Sequence, residues 1–257
     1  MMMRQLTVKA EIQAYLETDR AYAAYALGDL DVGFFEWCTW YVAEDGGVVY
    51  ALALEYTGFE PPILFLMGSS EGVAALLSAP VQTDRVFVTA RPEHLAVLER
   101  HYRWDPLDYM WRMVFRSDRS PRPVRSVRRL DENDVDRLRV LYALGGGGAF
   151  NSSQVTQGVF YGVEQDGQLI SVAGTHLVSE AYSVGAIGNV MTHPDCRGHG
   201  YATLTTQAVC DELTRSGRDI QTIVLNVRQD NVPAVRVYEK LGFARYCPFY
   251  EGVIVRR

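Results

Sequence analysis

The chain has 257 residues, 48% hydrophobic and 22% charged, a globular composition long enough for one large domain or two of about 100–150 residues. A formal charge of −6 argues against a general nucleic-acid binder, whose affinity rests on clustered Lys and Arg. No window approaches the ~18 consecutive apolar residues of a membrane span, and Met1 to Glu11 holds no apolar signal core. Cys38, Cys196, Cys210 and Cys247 lack metal or disulfide spacing. A soluble, cytoplasmic chain is expected, with no metal and no membrane or nucleic-acid partner.

In chain order, Ile63 to Met67 reads as an apolar strand followed by G-S-S-E-G-V and a helix, and Arg85 to Thr89 as a strand followed by a helix through Leu95 and Leu98. Arg116 to Arg128, with two prolines and scattered charge, breaks every period and predicts a linker. The expected division is 1–118, a linker at 119–129, and a second domain at 130–257. Charge is uneven across it, with 10 basic and 17 acidic residues up to Ser120 against 15 and 14 beyond, so an anionic ligand belongs to the second half.

Past the linker, Val135, Leu138, Leu141 and Tyr142 at helical spacing predict a helix within Leu130 to Leu144, with Asp131 or Asn133 as its cap. Gly145 to Gly148 reads as a loop, because a phosphate cradle would need a preceding strand and a following Lys-Ser/Thr. Val159 to Glu164, Gln168 to His176 and Tyr182 to Met191 predict three antiparallel strands, the first two joined by a turn at Asp166-Gly167. A helix from Gly200 to Arg215 ending at Ser216-Gly217, a strand from Gln221 to Val227 and a helix from Pro233 to Leu241 closed by Gly242 complete a mixed α/β layout.

The segment V-M-T-H-P-D-C-R-G-H-G-Y-A, from Val190 to Ala202, is a strand that stops, a proline turn and a glycine-bearing helix entry. Such an entry presents unpaired N–H groups at the positive end of the helix dipole, which suits a pyrophosphate. The segment resembles the GNAT superfamily of acyl-CoA-dependent N-acyltransferases, whose Arg/Gln-x-x-Gly-x-Gly/Ala loop is met by Arg197, Gly200 and Ala202. A second family signature, Asn-x-x-Ala-x-x-x-Tyr-x-x-x-Gly-Phe, is met at Asn231, Ala234, Tyr238, Gly242 and Phe243.

The resemblance implies a central, mostly antiparallel sheet with splayed strands flanked by helices. It implies that Val190, Met191 and Thr192 diverge from the strand at Asn226 to form a slot for the acyl-pantetheine arm of acetyl-CoA. Gly198, His199, Gly200, Tyr201, Ala202 and Thr203, with Arg197, would hold the pyrophosphate, Asn231 the pantetheine, and Tyr238 would protonate the departing thiolate. The family's strand glutamate is missing, since Tyr182 to Met191 contains no acid. His176 and Glu180 are the candidates for the base, and Asn189 could position a water.

Shifting the first half by 137 residues lays Arg91 on Arg228 and Leu98 on Val235, but Asn231 becomes His94 and Tyr238 becomes His101. A tandem is expected, with a degenerate, GNAT-like first unit. Aromatic residues Phe34, Phe35, Trp37, Trp40 and Tyr41 read either as a contact surface or as that unit's own core. The expected activity is acetyl transfer to a primary amine of a small molecule or peptide by direct attack in a ternary complex. Two alternatives stay open: a CoA-binding sensor without turnover, and a longer-chain acyltransferase like those acting on glycine. A homodimer is left open.

Overall fold

The computed structural model describes residues 1–78, 81, 83–116, 127–145, 150–215, 217–218 and 220–257. Contacts divide the chain into two units, Met1–Arg112 with Tyr246–Arg257, and Met113–Arg245.

The first unit contains β1 (Met2–Leu6), α1 (Lys9–Leu16), α2 (Ala24–Gly28), β2 (Cys38–Asp45), β3 (Val48–Tyr56), β4 (Ile63–Gly68), α3 (Ser70–Ser78), β5 (Arg85–Ala90), α4 (Leu95–His101) and β6 (Tyr102–Trp104); β7 (Asp108–Phe115) leads out of it. Strands β1 to β4 pair antiparallel in sequence order, and β4 pairs parallel with β5 through the α3 crossover. Gly46 and Gly47, both at positive φ, make the two-residue turn between β2 and β3, whose twist suits a hairpin. The core packs Val73, Leu76 and Leu77 of α3 and Val97 and Leu98 of α4 onto Leu64, Leu66, Val86 and Val88. Trp40 is buried while Trp37 is 50% exposed, so the aromatic run does not act as one surface.

The second unit contains β8 (Arg128–Arg129), α5 (Val135–Tyr142), α6 (Ser153–Gln157), β9 (Phe160–Gln165), β10 (Gln168–Ser179), β11 (Val184–Thr192), α7 (Tyr201–Leu213), β12 (Thr222–Arg228) and α8 (Val232–Leu241), followed by β13 (Phe243–Arg256). Sheet order is β12-β11-β10-β9-β8, antiparallel except for the parallel β11/β12 pair. Asp166 and Gly167, both at positive φ, form the expected hairpin turn. Asp131 caps α5's leading turn by accepting from Asn133 N at 2.8 Å, and Asp134 returns the bond to Asp131 N at 3.1 Å. On one face, Leu138, Leu141 and Tyr142 of α5 and Val155 of α6 pack on Phe160, Val172 and Met191.

Each unit is thus a mixed, mostly antiparallel sheet flanked by helices, as expected. Each also runs antiparallel meander, helix, parallel strand, helix: β2-β3-β4, α3, β5, α4 in the first and β9-β10-β11, α7, β12, α8 in the second. The expected second-domain range of 130–257 differs from the observed division at its end. Residues Tyr250 to Val255 pair with β5, Ile254 joins the first unit's core, and Arg256 N and Arg257 N donate to Asp84 O and His101 O at 2.7 and 2.9 Å. Buried Phe249 and Ile254 drive this, because an apolar strand takes the edge that can cover it. Of the expected linker, 119–126 lies outside the described residues, and Arg128–Arg129 is a short strand. Gly146 to Gly148 and Ser216 also lie outside them.

Candidate active site

The register between β11 and β12 runs from Val184↔Thr222 to Ile187↔Leu225 and stops there, while the strands continue to Thr192 and Arg228. The fork so formed has Gly188 to Thr192 on one prong and Asn226 to Arg228 on the other. What turns β11 away is a bulge: its pairing with β10 shifts between Gly174↔Gly188 and Val172↔Met191, and Asn189 sits at φ 54°. A non-glycine residue there is uncommon, and bonds to the side chains of Tyr142 and Gln154 hold it. Tyr142 donates to Asn189 O at 2.7 Å, Asn189 Nδ2 donates to Gln154 Oε1 at 3.0 Å, and Gln154 Nε2 donates to His176 O at 3.4 Å. Farther out, Ser171 donates to Met191 O at 3.3 Å and His193 N to Ile170 O at 2.8 Å, which tie the diverging prong to β10.

Below the fork, Pro194–Cys196 makes one tight turn, and Arg197 Nε donates back to Thr192 O at 3.3 Å. Gly198 and Gly200 then take φ 82° and 83°, and a Cβ added at either would meet nothing within 4 Å. Gly200 caps α7 without a side-chain bond, and the first bond of the helix is Leu204 N to Gly200 O at 3.1 Å. Among the described residues no acceptor is assigned to the N–H groups of Tyr201, Ala202 and Thr203. An exposed glycine approach to unclaimed N–H groups fits a pyrophosphate sterically and electrostatically. His199 is turned onto its own loop, with Nδ1 at 3.0 Å from Arg197 O and its ring stacked on Tyr201.

Asn231 does a structural job as well: its Oδ1 accepts from Ala234 N at 3.3 Å and caps α8, leaving Nδ2 as the group that can reach a ligand. Tyr238 lies two turns on, buried, its ring edge-on to Phe243. Burial, with the Cys210 thiol nearby on α7, pushes its hydroxyl well above the usual phenol range and keeps it protonated. Val190, Met191 and Thr192 line the diverging prong, and Asn226 is the first residue past the last pair on the other.

His176 bulges from β10, and its imidazole covers Gly188: a Cβ there would lie 1.8 Å from Nε2. Burial lowers this imidazole to about pH 4. Glu180 falls in the turn before β11, whose first residue, Val184, already lies seven residues or on the order of 20 Å from Met191, so it is not at the fork. Gln154, Tyr142 and Gly188 escaped the sequence reading. A five-residue helix carries Gln154, and it gives no periodic signal.

The titration of His176 has a measurable consequence. The unfolded chain, with an ordinary imidazole near 6.5, takes up a proton that the folded protein refuses until about pH 4. Stability is therefore held above pH 6.5 and falls as pH drops through that window, by up to about 3 kcal/mol. Urea unfolding of wild type and His176→Gln from pH 7 to 4 is expected to converge as pH falls. Parallel curves would mean an imidazole that titrates normally.

The forked parallel pair, with a glycine-bearing helix start beneath it and a buried tyrosine on the following helix, defines the class of the fold. The match to a family model fits this class: residues 115–243 match the Acetyltransferase (GNAT) family. The chain belongs to that family.

It is 46% identical over 54 residues to N-alpha-acetyltransferase 30 of Schizosaccharomyces pombe, which is 21% of this chain and 35% of that protein. It is 29% identical over 94 residues to the [Ribosomal protein bS18]-alanine N-acetyltransferase of Escherichia coli, 37% of this chain and 60% of that one. The chain thus spans less than two thirds of either relative. A solved tandem GNAT protein from the clavulanic acid biosynthesis pathway shares its fold over 99% of this chain and 98% of its own, with a TM-score of 0.58 and 14% identity. Among the described residues no cluster of His, Cys, Asp and Glu could hold a metal, all four cysteines are free, and no helix is long and apolar enough to cross a membrane.

Proposed function

We propose that the protein transfers an acetyl group from acetyl-CoA to a primary amine of a peptide or small molecule by direct attack in a ternary complex. The observation that carries this reading is the fork between β11 and β12 with the unclaimed N–H groups of α7 at its base. Gly198 to Thr203 and Arg197 bind the pyrophosphate, and the pantetheine arm lies between Val190–Thr192 and β12, met by Asn231 Nδ2. The amine nitrogen attacks the thioester carbon. The resulting oxyanion is held by a backbone N–H around Val190 or Met191, and collapse breaks the C–S bond as Tyr238 protonates the leaving sulfur. The proton lost by the amine passes by way of water and His176, which is neutral at pH 7, and restores Tyr238.

The activities of the two relatives, both amine acetylations and one on a ribosomal protein, support protein amines among the acceptors. The fold shared with a tandem GNAT protein supports the first unit as a degenerate copy. Free cysteine thiols support the cytoplasm as its compartment. Incubation of the full chain with acetyl-CoA and a panel of peptide and small-molecule amines tests the proposal. CoA release matched by a 42 Da gain on an acceptor, about the mass of one acetyl for hydrogen, is expected. Binding of acetyl-CoA with no transfer to any amine would overturn it.

A further inference from the structure

The parallel register fixes which side chains share a face at the fork. Gly185 and Ile187 pair with Ile223 and Leu225, and a Cβ added at Gly185 would lie 3.3 Å from Leu213 of α7, so this set faces α7. Alternation turns the other set, Ala186 and Gly188 with Val224 and Asn226, to the opposite face. His176 fills the room above Gly188, on that same face. Asn226, the next position after the last pair, therefore stands on the His176 side. Tyr238 belongs to the other side, beside Cys210 of α7. The Asn226 side chain carries an anomaly: its Oδ1 is buried with no hydrogen-bond partner. Buried acceptors are seldom left so, and one at the mouth of a substrate slot is placed to be completed by substrate.

We propose that Asn226 Oδ1 receives an N–H of the acceptor amine in its neutral form, on the His176 face of the fork, and that the enzyme consequently prefers α-amines to lysine side chains. The proposal rests on the N-acetyltransferase reading above. An amide oxygen accepts a hydrogen bond but, unlike a carboxylate, supplies no charge to hold an ammonium. Among the described residues of the second unit, the elements around the fork supply no unpaired charge on this face either. Strands β10 and β11 and helix α6 contain no Asp or Glu. Arg228, two residues along β12, is paired with Asp230 at 2.7 Å. On α5, Asp136 pairs with Arg139 at its exposed surface, and Tyr142 is bonded to Asn189 O. On α7, Glu212 pairs with Arg129 at 3.1 Å. His176 is neutral and Tyr238 protonated at physiological pH. The site must therefore draw on amine already free of its proton. At pH 7.5 that fraction is on the order of 200-fold larger for an α-amine, with a pKa of ~7.7–8.0, than for lysine at ~10.4.

The test uses the full chain, saturating acetyl-CoA and two peptides of matched sequence, one with a free amino terminus and no lysine, the other blocked at its terminus and carrying one lysine. A kcat/KM ratio of about 100-fold in favour of the α-amine at pH 7.5, narrowing as pH rises toward 10, is expected. Asn226→Ala should raise the acceptor KM about 10-fold, with a smaller change in acetyl-CoA affinity. Asn226→Asp, nearly isosteric, should shift the ratio toward the lysine peptide by about 10-fold, and thermal unfolding checks that both variants fold. Equal kcat/KM for the two peptides, or an unmoved ratio in Asn226→Asp, overturns the proposal, as does loss of acetyl-CoA affinity with acceptor KM spared in Asn226→Ala. Acetyl-CoA binding with transfer to neither peptide overturns it while leaving the cofactor slot intact. A chain that binds no acetyl-CoA removes the underlying reading with it.

Discussion

Gly200→Glu is expected to abolish acetyl-CoA binding while leaving the fold in place. Gly200 is exposed at φ 83° with nothing within 4 Å of an added Cβ, so a side chain there projects into the space before α7 and strikes nothing in the protein. Two costs follow. A left-handed conformation costs an L-residue about 1–2 kcal/mol, paid in stability. A carboxylate about 4 Å from a phosphate adds about 4 kcal/mol of repulsion at an effective dielectric of about 20, and it also satisfies the helix dipole that the phosphate would use. The second cost falls on binding alone and corresponds to about a 1,000-fold loss. Gly200→Ala separates the two, because it carries the strain without the charge and should bind acetyl-CoA within about 10-fold of wild type. Calorimetry measures both variants, and affinity for acetyl-CoA retained in Gly200→Glu would refute the cradle.

The same titration should give one site per chain. In the first unit the corresponding end of the parallel pair is tied shut. His94, at the position equivalent to Asn231, is buried, with Nε2 at 2.9 Å from Gly68 O, and Ser70 donates to Glu93 O at 2.9 Å. Helix α3 begins at Ser70, directly after β4, so the long glycine-bearing loop has no counterpart there. A ligand arm would have to break the His94 bond and expel a buried imidazole to enter.

Much of this was legible in the sequence because the signals were local. Asp166-Gly167 announced its hairpin and Gly242 its helix end, each a case where one residue's backbone preference decides the structure. The fork was reached through the family motifs, not through periodicity, since strands that diverge keep the same alternation as strands that pair. Its cause stayed hidden. The bulge at Asn189 depends on Tyr142 and Gln154, 47 and 35 residues upstream, and such long-range bonds leave no local pattern. The final strand was misassigned for the same reason: an apolar run declares that it will be buried but not against which sheet. His176 was found as a histidine near a strand end, yet only the register reveals that Gly188 makes room for it.

Tyr238→Phe should lower kcat while acetyl-CoA affinity and stability stay close to wild type. The ring packs edge-on to Phe243 at 6.0 Å, and phenylalanine keeps that contact and the buried volume. Only the hydroxyl is lost, and with it the proton for the departing sulfur. General-acid assistance is typically worth ~10²–10⁴-fold. Burial raises this hydroxyl above its ordinary range, which makes it a reluctant acid, so the expected fall lies toward the lower end, about 100-fold. The loss belongs to the transition state, where sulfur gains charge. It should therefore appear equally in kcat and in kcat/KM for the acceptor, with acetyl-CoA binding by calorimetry unchanged. If thiolate departure limits the rate, a thioester with a more acidic leaving thiol needs less help and should narrow the gap between variant and wild type. An unchanged kcat from pH 6 to 9, with either thioester, would leave Tyr238 as a packing residue on the buried stripe of α8 and move the search for the acid elsewhere in the fork.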